Sequence, residues 1–212
     1  MVCALCYKAH TMNNNLAEQN LQTIRTLMER SAIYRRALRP ILWWASLVAL
    51  VSATLGEWSA SRTEEGLVFY GHWLVTGGVV LAGAFGLARR QARRDREPFW
   101  SPPARRVAQA LAPALVVGLV LTAFCGKCGS CFRAPMVGMW AILYGCGLHA
   151  AGFFAPKGLR LLGWCFILVG FGWWTMLLFT PWEPGEHAAM GLIFGGLHGA
   201  CAMYLTVTAR ES

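Results

Sequence analysis

The sequence predicts an all-α, polytopic transmembrane bundle of six helices, arranged as three hairpins and preceded by an amphipathic N-terminal helix. Three observations predict it. Of 212 residues, 56% are hydrophobic and 14% charged, with a mean hydropathy of +0.45, which is more apolar surface than one soluble core of this size can bury. The apolar residues gather into six runs of about 18 to 22, each the length a helix needs to cross about 30 Å of hydrocarbon. Lysine and arginine collect on one side of those runs. The same arithmetic excludes disorder, a secreted disulfide scaffold and a DNA-binding domain.

The runs are Leu38 to Gly56, Leu67 to Ala88, Val107 to Phe124, Met136 to Phe154, Leu161 to Thr180 and Ala188 to Thr208, with no acidic residue inside any of them. Helices follow because lipid offers the backbone no other partners, and the strands of a barrel would alternate in polarity. Ahead of them, Met1 to Leu38 lacks the apolar core and cleavage site of a signal peptide, so the first span is expected to act as its own insertion signal.

Sixteen basic residues fall on one side of the membrane, seven of them between the second and third spans, and only Arg62, Lys127 and Arg133 on the other. The positive-inside rule then places both termini in the cytoplasm, with Glu57, Glu64, Glu65, Glu183 and Glu186 outside. Topology accounts for the net charge of +9. The expected partners are the bilayer and its anionic head groups at the Arg-rich inner face, not nucleic acid. A second copy or another membrane protein is compatible with the pattern.

Three regions divide the chain: a cytoplasmic segment 1–37, the membrane domain 38–208 and a tail 209–212. Within the first, Leu16 to Leu38 sets Leu21, Ile24, Leu27, Met28, Tyr34 and Leu38 at helical spacing among charges. This reads either as a helix lying on the inner surface or as one packing on its own spans or a second copy. Cys3, Cys6 and His10 form a CxxC with a nearby histidine, three of the four ligands of a structural zinc, but Met12 is an alternative start that would remove them.

Glu97 to Pro103 (EPFWSPP) is expected to run extended along the interface, and Pro113 to kink the third helix. Trp43, Trp44, Trp58, Trp73, Trp100, Trp140, Trp164 and Trp182 read as an interfacial aromatic belt. The even-numbered spans repeat an aromatic, a glycine and a histidine in the same order, in GLVFYGHW (Gly66 to Trp73), MWAILYGCGLH (Met139 to His149) and MGLIFGGLH (Met190 to His198). Two stripes of small residues, Gly78, Ala82, Gly86 and Gly191, Gly195, Gly199, predict close helix contacts.

Two clusters could carry chemistry. Cys146 and His149 share a face of the fourth span, as do His198 and Cys201 in the sixth. Counted from the outer ends, Cys146 is level with His198 and His149 with Cys201. Facing each other, the four could hold a soft metal tetrahedrally, or the two histidines could ligate a haem. The alternative is that neutral histidines hydrogen-bond across a Gly-rich contact while the thiols pack as small apolar groups. The second cluster is the outer loop Cys125, Cys128 and Cys131, three potential thiolates lacking a fourth ligand that His187 or His72 could supply. An oxidising exterior equally suits a disulfide there. No HExxH, no serine nucleophile with a base and no GxxxxGK[ST] is present, which argues against a hydrolase or an ATPase and leans the reading away from an enzyme.

The stretches IRTLMERS (Ile24 to Ser31), KGLRLLGW (Lys157 to Trp164) and FGGLHGACAMY (Phe194 to Tyr204) resemble an uncharacterised family of small six-span bacterial inner-membrane proteins. The resemblance implies six spans and a bacterial inner membrane and brings no activity. His198 sits inside a resembling stretch; the loop CGKCGSC lies outside them. The sequence thus points to a non-enzymatic membrane protein of structural, sensory or accessory type, with a membrane redox or metal-handling protein as the alternative.

Overall fold

The computed structural model describes residues 38–60, 66–96, 99–127, 132–155, 157–180 and 185–208. The amphipathic segment before Leu38, the Cys3–Cys6–His10 motif, Cys128 and Cys131 lie outside them. All described elements are helical: α1 (Leu38–Ala60), α2 (Gly66–Arg94), α3 (Pro102–Cys125), α4 (Arg133–Ala151), α5 (Lys157–Phe179) and α6 (Glu186–Thr208). Each is long and apolar enough to span a bilayer.

Several helices outrun the apolar runs at one end, while α4 stops at Ala151, short of the expected Phe154. α2 continues to Arg94, because arginine is a good helix former whose long stem lets the charge reach the head groups. α3 begins at Pro102, with prolines in its first two positions, where a missing N–H costs nothing and a fixed φ favours the turn. Trp100 is therefore separated from that helix only by Ser101, and Phe99 packs edge-on against Phe85 of α2, 4.6 Å between ring centres.

α4 and α5 form the tightest pair. Gly145 and Gly138 of α4 meet Gly163 and Gly170 of α5, seven residues apart on each helix, and a Cβ at Gly163 would lie 2.6 Å from the backbone nitrogen of His149. Only glycine permits this approach. Trp173 and Trp174 then reach across to the Ala134 and Pro135 carbonyls at 2.7 and 2.9 Å. α3 lies along the other flank of α4.

α6 packs on α1 through the expected stripe: Gly191 meets Ala53, Gly195 meets Leu50 and the Ser46 carbonyl, and Gly199 meets the Ser46 hydroxyl. Six residues of this helix, Gly191–Gly196, form a wide π-turn. Three glycines weaken the regular ladder there. The other stripe behaves differently. Nothing lies within 4 Å of a Cβ built at Gly78 or Gly86; the close glycine of α2 is Gly83, covered by Trp44 of α1. Spacing alone did not distinguish a packing stripe from one facing open space.

α2 and α3 bury 17% and 11% of their spans, against 44% for α4 and α6. α3 packs mainly on α4, and α2 meets α4 only lightly. A space is left between α2, α3, α4 and α6.

Candidate binding cavity

That space is a cavity of about 360 Å³, the lower part of the range that holds small molecules. The aromatic of each repeated stretch reaches it: Phe69 and Tyr70 from α2, Tyr144 from α4 and Phe194 from α6. Aliphatic side chains such as Leu115, Leu119 and Val137 complete an almost wholly apolar wall, and no aspartate, glutamate, lysine or arginine lines it.

One polar pair stands in the wall. The Tyr144 hydroxyl and His198 Nε2 are 2.9 Å apart, and His198 Nδ1 is 2.6 Å from the Phe194 carbonyl. A carbonyl only accepts, so Nδ1 carries the hydrogen. In an apolar interior the ring is neutral, leaving Nε2 to accept from the tyrosine O–H. The rings of Tyr144 and Phe166 lie 5.6 and 5.3 Å from the imidazole, Phe194 packs on Phe166 at 5.1 Å, and Phe166 is fully buried. The π-turn matters locally: two of its carbonyls accept side-chain donors, Phe194 from His198 and Gly195 from Ser46 at 2.7 Å.

Several of the cavity's other donors bond elsewhere. Trp140 Nε1 donates to Thr122 Oγ1 at 2.9 Å, and Thr122 in turn to the Gly118 carbonyl at 2.8 Å. Thr76 donates to the His72 carbonyl at 2.8 Å. Trp73 Nε1 donates to His187 Nδ1 at 3.2 Å. Trp73 and Trp140, expected in an interfacial belt, are thus bonded inside the bundle.

The last of these bonds leads to a polar cluster at the end of the bundle where α6 begins. His72 and His187 face each other edge-on, 5.2 Å between ring centres. His72 Nε2 bonds the Ser52 hydroxyl and carbonyl at 2.8 and 2.9 Å. Glu57 accepts from the Ala188 amide at 2.9 Å, a carboxylate at a helix N-terminus, and Arg133 pairs with Glu186 at 3.7 Å. The two histidines considered as ligands for the outer thiols therefore meet each other, while Cys125 lies partly buried at the end of α3.

The inner set of four is dispersed. Cys146 is exposed on the bundle surface, and Cys201 is partly buried against the core. His149 packs edge-on to Trp164 and Phe153 at 5.4 Å, its buried Nδ1 without a hydrogen-bond partner among the described residues. Among those residues no three of His, Cys, Asp and Glu form a group able to hold a metal. Matched depth fixes height but not direction around the helix. Tyr144 and His149 are five residues apart, about 140° around α4, and it is Tyr144 that faces α6.

Compared with protein-family models, curated proteins and solved structures, the chain matches none of them. The cavity and its polar pair are the ground for any functional reading.

Proposed function

We propose that this multi-pass membrane protein is a non-enzymatic sensory or accessory protein that holds a lipid-soluble molecule in the cavity between α2, α4 and α6. The observation that carries the reading is the apolar 360 Å³ space with one built polar contact, Tyr144 paired to His198. Binding sites of this kind are mostly apolar, with a few placed polar groups that set orientation. No aspartate, glutamate, lysine or arginine lines the wall beside the Tyr144–His198 pair, which suits a binding role for it.

The reading includes a bacterial inner membrane and an orientation with both termini cytoplasmic. Arg89, Arg90, Arg93 and Arg94 line one groove at the end of α2, suited to anionic lipid head groups.

Native mass spectrometry of the protein released from its own membranes tests the reading. Gly77 lines the cavity, and a Cβ there meets nothing within 4 Å, so Gly77→Phe should fill the space without disturbing helix contacts. The wild type should retain a small neutral molecule that Gly77→Phe has lost, with both proteins unfolding at similar temperatures. A wild type with no such molecule, or the same one carried by both, contradicts the proposal.

A further inference from the structure

Phe69 and Trp73 belong to the cavity wall, and His187 touches both. Its ring lies edge-on to Phe69 at 4.9 Å between centres and 6.0 Å from Trp73. The Trp73 indole N–H donates to His187 Nδ1 at 3.2 Å, so that nitrogen carries no hydrogen and the ring is neutral, with its hydrogen on Nε2. A proton on Nδ1 would set two N–H groups against each other, because an imidazolium only donates. The imidazole has little room to step aside. A Cβ at Gly56 of α1 would run into Nδ1, His72 faces the ring 5.2 Å away, and His187 is 5% exposed. Trp73 is the freer partner, only partly buried and bordering open space.

Charged and titratable groups approach His187 from four helices: Glu57 of α1, His72 of α2, Arg133 of α4 and its own neighbour Glu186 in α6. His187 is the second residue of α6, and water reaches the adjoining Arg133–Glu186 pair, whose side chains are 24% and 28% exposed. His72 holds the Ser52 carbonyl through Nε2 at 2.9 Å, a bond that survives protonation of His72, so only the proton on His187 breaks the Trp73 contact. We infer that a proton taken up by His187 Nδ1 releases the Trp73 indole toward the cavity and expels what the cavity holds. Coupling of this kind is reciprocal: an occupant that needs Trp73 in place resists the proton. The expulsion rests on the cavity being a binding site, as proposed above; the proton site does not.

NMR of the full chain in nanodiscs, with isotope-labelled tryptophan indoles, tests the proton site. Trp73→Phe identifies the Trp73 N–H signal. Between about pH 7.5 and about pH 5, the range in which histidine ordinarily takes up a proton, that signal should move upfield in the wild type as its acceptor is lost. In His187→Gln, whose amide oxygen accepts but takes up no proton there, it should stay; in His72→Gln it should still move. The link to the cavity is read with 4-heptylphenol, neutral across this range, from its shift of the unfolding temperature at each pH. The wild type should bind it roughly threefold to tenfold more weakly at the lower pH, the range one net hydrogen bond gives, and His187→Gln equally at both. A Trp73 signal that stays in the wild type, moves as much in His187→Gln, or stops moving in His72→Gln overturns the inference. A moving signal with equal probe affinity at both pH values overturns the expulsion. A moving signal with no probe bound at either pH contradicts the cavity reading and leaves the proton site standing.

Discussion

His198 shows how one buried side chain was read in part from sequence. An ionisable residue within a span must face protein, water or a ligand, and its placement inside the bundle follows from that rule alone; it is 5% exposed. Its partner did not follow. Depth matching set His198 level with Cys146 and within a shared site with His149, whereas Tyr144, one helical position from Gly145 in the same repeated stretch, takes the contact. The legible signal was the aromatic member of the repeat, which reaches the cavity from all three even helices. His198→Ala removes one membrane-buried hydrogen bond, worth about 0.6 to 2 kcal/mol, and leaves the Tyr144 hydrogen without its acceptor. The variant should fold and lose a few degrees of thermal stability, measured in detergent. Complete failure to fold would mean that His198 supports the bundle itself rather than a site within it.

Among the elements, the α4–α5 seam and the open face of α2 give opposite expectations for one kind of substitution. A methyl at Gly163 would press on the His149 backbone at 2.6 Å, where no flexible side chain can yield, whereas Gly71 has nothing within 4 Å. Gly163→Ala should therefore cost about 1 to 3 kcal/mol, the usual range for overpacking. Gly71→Ala should be neutral or stabilising by up to about 1 kcal/mol, since alanine is the better helix former. Unfolding of both variants side by side checks the difference, and equal losses would contradict the seam. Helix existence was legible from run length because hydrocarbon thickness sets it. Which small-residue stripe is a seam was not: glycines at four-residue spacing look alike on α2 and α6, and only the direction in which the helix is turned separates them. The π-turn of Gly191–Gly196 was equally hidden, since its glycines alone do not say which turn widens.

On the scale of the whole molecule, one face gathers Glu57, Glu186 and the His72–His187 pair, and the arginines of α2 line a groove at the opposite end of that helix. With 16 of 19 basic residues on one side of the spans, a reporter active only in the cytoplasm should work when fused after Ser212 and fail after Gly185; the reverse pattern would invert the orientation. The inward-turned aromatics of α2, α4 and α6 give the central claim, that the bundle forms a ligand site and not merely a packing defect. Its most direct measurement is the anomalous diffraction of crystals grown from a lipidic mesophase with a brominated alkylphenol. A bromine peak inside the cavity, in contact with Trp140 or Phe194 and with the phenol oxygen beside Tyr144, is the predicted result. Bromine confined to the outer, lipid-facing surfaces of the helices, with the cavity empty, would contradict it.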